Sequence, residues 1–162
     1  MGAPWIEAKY LSPDEVESKV EELRKSGKSI TTLNGSFDLL HAGHLKMIYE
    51  ASCQGDVLIV GLNSDASIKK YKSPLRPIVP LEERLEMMAA LEFVDFVTYF
   101  DETTPIAFLE KVRPNVHVNG AEYGADCIEG EMVKRHGGKL HIAELVPGKS
   151  TSNLIEKIKS CV

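Results

Sequence analysis

The sequence predicts an α/β protein built on a doubly wound, five-stranded parallel sheet with helices on both faces. Three observations predict it. Short apolar runs alternate with segments of helical periodicity along most of the chain. One of those runs, Val57-Leu58-Ile59-Val60-Gly61-Leu62, is apolar enough to be covered on both faces, as parallel strands are. A length of 162 residues with 43% hydrophobic content also supplies one substantial core and no obvious linker.

Taken in order, Ser12-Pro13-Asp14-Glu15 reads as an N-cap, a first-turn proline and two acids at the positive end of a helix dipole. Val16, Val20 and Leu23 continue that helix to Gly27. Residues 1–29 are therefore expected to form an N-terminal helical extension packed on a domain of residues 30–162, the whole being a single globular unit. Residues 30–34 read as the first strand. His44 to Ser52 is helical, with Leu45, Ile48 and Tyr49 expected to share a buried face, until Gly55-Asp56 breaks it. The apolar run from Val57 is the second strand. Pro80 opens a helix through Arg84, Met88 and Leu91, and residues 93–100 supply the third strand. Thr104-Pro105 starts a helix ending near Arg113-Pro114, 116–118 is strand-like, 127–136 helical and 140–142 a fifth strand. The last helix begins near Ser150.

Composition excludes several functions. The net charge of −5, from 19 Lys plus Arg against 24 Asp plus Glu, offers no broad attraction to nucleic acid or acidic membranes. Cys53, Cys127 and Cys161 lie far apart, and their odd number suits reduced thiols rather than a disulfide framework or zinc cluster. The N-terminus has no signal-like basic and apolar pattern, and the longest apolar run is too short to cross a bilayer. The expectation is a soluble cytoplasmic protein with neither nucleic-acid nor membrane partners.

The chemistry concentrates in Asn34-Gly35-Ser36-Phe37-Asp38-Leu39-Leu40-His41-Ala42-Gly43-His44, which follows the first strand and enters a helix. Gly35 allows a tight turn, and Gly43 leaves room for a phosphate near the main chain. The helix start presents free N–H donors with partial positive charge. If the helix begins near His41, the i, i+3 spacing puts His41 and His44 on one side of its first turn. Such an arrangement suits phosphoryl transfer, where charge develops on phosphate oxygens and positioning does most of the catalysis.

Gly35-Ser36-Phe37-Asp38 followed by His41-Ala42-Gly43-His44 resembles the GxFDxxHxGH signature of cytidylyltransferase-like nucleotidyltransferases. Over roughly residues 30–158 the chain is similar to the adenylyltransferase domain of ADP-heptose synthases. Asn63-Ser64-Asp65-Ala66-Ser67 resembles that branch's NSDAS segment, Arg76 to Arg84 its RPxxPxxxR segment, and Ser150-Thr151-Ser152 its hydroxyl-rich helix start. Val118-Asn119-Gly120-Ala121-Glu122-Tyr123 is similar to VKGGDY, with departures at Asn119 and Glu122.

The resemblance implies a Rossmann-like fold and a reaction that moves AMP from ATP to a sugar 1-phosphate such as D-glycero-β-D-manno-heptose 1-phosphate. It implies His41, His44, Lys72 and Arg84 as catalytic residues. Gly35, Ser36, Phe37, His41, His44, Gly120, Glu122, Ser150, Thr151 and Ser152 would bind nucleotide. Asp38, Asn63, Asp65, Lys72 and Arg76 would bind the phosphate substrate. Mg2+ would arrive with the nucleoside triphosphate and need no dedicated protein ligands. A homodimer and a separate sugar kinase in the same pathway complete the expectation. Two alternatives stand beside it. One is a glycerol-3-phosphate or other phospho-alcohol cytidylyltransferase using CTP, although those enzymes tend to carry a large aromatic residue where this chain has Ala42. The other is a non-catalytic nucleotide-binding module.

Overall fold

The computed structural model describes residues 4–124, 127–144 and 146–161. The outermost limits of the two expected segments, residues 1–3 and 162, lie outside the described residues. Five strands form one wholly parallel sheet: β1 (Ile30–Gly35), β2 (Val57–Asn63), β3 (Phe96–Phe100), β4 (Val116–Gly120) and β5 (Lys139–Ala143), in the order β3-β2-β1-β4-β5. Every residue of β2 is buried, as its unbroken apolar run requires of a strand covered on both faces.

One face is packed by α3 (Ala42–Ser52) and α5 (Leu81–Ala89), with Leu33, Ile48, Val60, Leu62, Leu85 and Met88 in its core. The other is packed by α2 (Val16–Lys25), α6 (Ile106–Val112) and α7 (Ile128–Arg135) around Ile30, Ile59, Phe108, Leu109 and Val133. The short α1 (Pro4–Glu7) sends the fully buried Ile6 into the first core. Burying a side chain of that size stabilises by roughly 1.5–3 kcal/mol. Beyond α1, Leu11 N–H donates to Val97 O and Val97 N–H to Lys9 O, both at 2.9 Å, so the extension covers the β3 edge.

Three elements differ from expectation. The helix read from Ser12 starts one turn later, at Val16, because the Glu15 carboxylate accepts from Ser12 N–H at 2.9 Å and Ser12 Oγ–H at 2.6 Å, closing a turn ahead of it. The third strand is shorter, because residues 93–95 turn before Phe96. A helix not foreseen, α4 (Asp65–Tyr71), follows β2, capped by Ser64 Oγ accepting from Ser67 N–H at 3.2 Å. The last helix, α8 (Thr151–Ser160), starts where expected.

The strand order reverses direction between β1 and β4. Ligands of open α/β sheets bind outside the carboxyl ends of strands at such a switch point, and the segments leaving β1 and β4 meet there.

Candidate active site

At that edge lies a cavity of about 440 Å³ lined by residues from five segments, within the range of small-molecule sites. His41, Gly43, His44 and Met47 come from the start of α3, and Lys72 from the end of α4. Gly120, Ala121 and Glu122 follow β4, Ala143 and Glu144 end β5, and Lys149 to Ser152 lead into α8.

His41 is the N-cap of α3 and its Nδ1 accepts from His44 N–H at 3.4 Å. The two imidazoles stack, with centroids 3.8 Å apart and planes at 19°. Gly43 makes this turn possible. A Cβ there would stand 3.0 Å from both the His41 ring and Lys149 Cβ, tighter than ordinary contact, so glycine eases the approach of the two segments.

Burial holds the His44 imidazole well below its ordinary pKa, at about 4, with the neighbouring His41 and Lys72 adding to the effect. Burial, then the Lys149 ammonium, lowers His41 too. The buried His41 Nε2 and His44 Nδ1 have no hydrogen-bond partner among the described residues. Unpaired buried polar atoms are costly, so both rings are held in place at the expense of stability.

The opposite wall is formed by the single helical turn Ala121–Tyr123, over which the Glu122 carboxylate folds back. A Cβ on Gly120 would collide with that carboxylate. Ser150 caps α8, its Oγ accepting from Asn153 N–H at 3.1 Å, which places Thr151 and Ser152 at the positive end of that helix.

The structure thus brings His41, His44, Lys72, Gly120, Glu122, Ser150, Thr151 and Ser152 to one cavity. Other expected site residues are not among those lining it. Arg84 is 1% exposed. Its guanidinium donates to Val79 O at 2.9 Å, Ser36 O at 2.7 Å, Asn63 O at 2.9 Å and Asp65 Oδ1 at 2.7 Å. A fork committed to three carbonyls and a carboxylate ties the β1, β2 and α5 segments together, and Arg84 is not among the residues lining the cavity. Asp65 is its counter-ion.

Asp38, also 1% exposed, accepts from Arg76 Nε, from Ile78 N–H at 2.8 Å and from Val79 N–H at 2.9 Å, so it anchors the loop before α5 rather than a substrate. Phe37 adopts the left-handed region at φ 44° and buries its ring in the core, against Gly35 and edge-on to His44 at 5.2 Å. It fixes the imidazole from below. Asn63 Nδ2 donates to Ser67 Oγ at 3.0 Å, tying β2 to α4.

Ser36 and Arg76 stay near the chemistry. Lys72 Nζ donates to Ser36 Oγ at 2.7 Å, and burial together with the Arg76 and Arg84 charges lowers the Lys72 pKa. Arg76 Nη2 is buried without a partner among the described residues. This corner is short of negative charge. Met47 and Glu144 were not anticipated. Met47 lies one turn after His44 on the same helix face, and Glu144 directly follows β5, so helical spacing and the carboxyl-end rule would have found them.

Residues 32–155 match the family model described as cytidylyltransferase-like. The chain belongs to that family. Its fold is that of a nucleotidyltransferase. It is 42% identical over 153 residues to the "Bifunctional protein HldE" of Geobacter sulfurreducens, covering 94% of this chain and 31% of the relative. It is 42% identical over 158 residues to the protein of the same name from Geotalea uraniireducens, covering 97% of this chain and 32% of the relative. The chain therefore spans about a third of the length of these curated relatives.

Among solved structures, a lipopolysaccharide core biosynthesis protein from Thermoplasma volcanium superposes with a TM-score of 0.64 at 24% identity, over 74% of this chain and 99% of that one. A pantoate-beta-alanine ligase from Francisella tularensis gives 0.60 at 16% identity, over 94% of this chain and 79% of that one. These two likenesses concern the fold. No helix among the described residues is long and apolar enough to cross a membrane.

Proposed function

We propose that this chain transfers AMP from ATP to a sugar 1-phosphate, D-glycero-β-D-manno-heptose 1-phosphate being the acceptor, with release of pyrophosphate. The observation that carries the reading is the stacked His41–His44 pair, which lines a cavity flanked by a helix N-terminus and a lysine. An oxygen of the acceptor phosphate attacks the α-phosphorus of ATP in line, and the bond from that phosphorus to the β-bridging oxygen breaks. Pyrophosphate leaves with the bonding electron pair.

The imidazoles and the Thr151–Ser152 start of α8 stabilise charge developing on the triphosphate oxygens. Lys72, Arg76 and Ser36 form the corner for the acceptor phosphate. Among the described residues no group of three His, Cys, Asp or Glu side chains could hold a metal. Mg2+ would therefore be held by the triphosphate and water, where it neutralises phosphate charge.

The heptose acceptor is supported by the NSDAS-like and RPxxP-like segments and by the shared name of the relatives, each about three times this chain's length. A homodimer and a separate sugar kinase belong to the same proposal. The exposed Tyr49 and Phe93, edge-on at 5.0 Å, form with Leu45 an apolar patch that suits a dimer contact.

The test is pyrophosphate release with ATP and CTP, each paired with heptose 1-phosphates, other sugar phosphates, glycerol 3-phosphate and choline phosphate. The expected result is turnover with ATP and heptose 1-phosphate. CTP-dependent turnover with glycerol 3-phosphate would replace the substrate and keep the chemistry. Nucleotide binding without pyrophosphate release across the panel would leave only a binding module.

A further inference from the structure

Behind the cavity, on the sheet face packed by α6 and α7, a chain of polar side chains crosses from β1 to α7. Thr32 and His117 are partners in the β1–β4 register and both are fully buried. Thr32 Oγ1 lies 2.8 Å from His117 Nδ1, His117 Nε2 lies 3.1 Å from Asn119 Oδ1, and Asn119 Nδ2 donates to Cys127 Sγ at 3.3 Å.

The protons along this chain are determined by chemistry. An amide oxygen only accepts, so Nε2 carries the imidazole hydrogen. In the neutral ring Nδ1 must then accept, and the Thr32 hydroxyl donates to it. Held by the ring, the Asn119 amide presents its nitrogen to the thiol. Each link fixes the orientation of the next.

The position of this chain is what gives it consequence. The backbone leaves the sheet at Gly120, immediately after Asn119, forms the Ala121 and Glu122 wall of the cavity, and re-enters regular structure at Cys127, the N-cap of α7. The Asn119–Cys127 bond therefore joins the two ends of the excursion that carries that wall. The placement of a one-turn wall depends on how its neck is held.

We propose that Thr32, His117, Asn119 and Cys127 form a clasp that positions the Gly120–Glu122 wall for the nucleotide, with His117 as the central positioning residue. The clasp touches no substrate. It rests on the reading of the cavity as a nucleotide site, and it accounts for Asn119, one of the two positions at which this chain departs from the family pattern: the side chain turns inward to the imidazole and the thiol. The clasp acts on nucleotide affinity, not on the transfer step.

The test measures binding of Mg-ATP without acceptor by calorimetry, together with kcat and thermal midpoint, on the full chain. Cys127→Ala opens the clasp at its half-buried end and leaves the buried ring paired, so the fold is retained. Cys127→Ser keeps an acceptor for the Asn119 amide. The expected result is a ~2- to 10-fold weaker ATP dissociation constant for Cys127→Ala, with kcat within about twofold, and restoration by Cys127→Ser, the range one neutral hydrogen bond supplies. His117→Leu should weaken ATP at least as much as Cys127→Ala. Wild-type affinity in Cys127→Ala overturns the clasp, as does a loss in kcat or midpoint with affinity unchanged. Failure of the wild-type chain to bind ATP or CTP would instead overturn the nucleotide reading on which the clasp rests.

Discussion

Two histidines on opposite faces of the sheet have similarly lowered pKa values and opposite surroundings. Burial takes His44 and His117 each down to about 4. His117 has both ring nitrogens hydrogen-bonded, to Thr32 and Asn119. His44 has a buried Nδ1 without a partner among the described residues and stacks on a second imidazole that also keeps a free nitrogen. A low pKa alone therefore does not mark a working residue. What separates the two is whether the polar atoms are satisfied within the fold. The same criterion sorts the cations: Arg84 has its fork committed to the backbone and Asp65, whereas Arg76 keeps Nη2 open beside Lys72.

The largest effect on stability should come from Arg84. Replacing it by Met leaves three carbonyls without their donor, and urea unfolding should show a loss of about 3–5 kcal/mol, at ~1–3 kcal/mol for each buried acceptor left unpaired. An Arg84→Met protein that keeps its stability and loses only turnover would return Arg84 to the triphosphate and break the comparison.

Acid sharpens it from the other side. An unfolded chain protonates these histidines near 6.5, whereas the folded chain does so only near 4. Between those values the unfolded state binds more protons, so stability falls as pH falls from 6.5 to 4 and is intact above that window. For the fully buried His117 this amounts to roughly 3 kcal/mol. Urea midpoints measured across the window should drop less steeply for His117→Leu than for wild type, although that variant starts lower at pH 7. Equal slopes would mean that His117 is not held neutral by burial.

How much of this was legible in the sequence follows from how local each feature is. The His41–His44 turn could be read because its glycine, histidines and helix start are contiguous, and the strand alternation because each run carries its own period. Arg84 could not be read, since its carbonyl partners at Ser36 and Asn63 lie 48 and 21 residues away and backbone oxygens leave no mark in a sequence. Its side chain looks the same whether it meets a phosphate or a main chain. His117 looked like part of an apolar strand, because its partner Thr32 is 85 residues distant. The seven residues of α4 are too few to show helical periodicity, although Ser64 was visible as its cap. Packing moved Asp38 and Phe37 from the expected ligand set into the support beneath it.

The most direct measurement is pyrophosphate release from ATP with heptose 1-phosphate by the wild-type chain and by His44→Ala, with thermal midpoints taken in parallel. The account predicts acceptor-dependent release by the wild type and a loss of about 10²- to 10³-fold in His44→Ala at a near-unchanged midpoint, the effect of removing one group that stabilises transition-state charge. Near-normal turnover by a folded His44→Ala protein would contradict it.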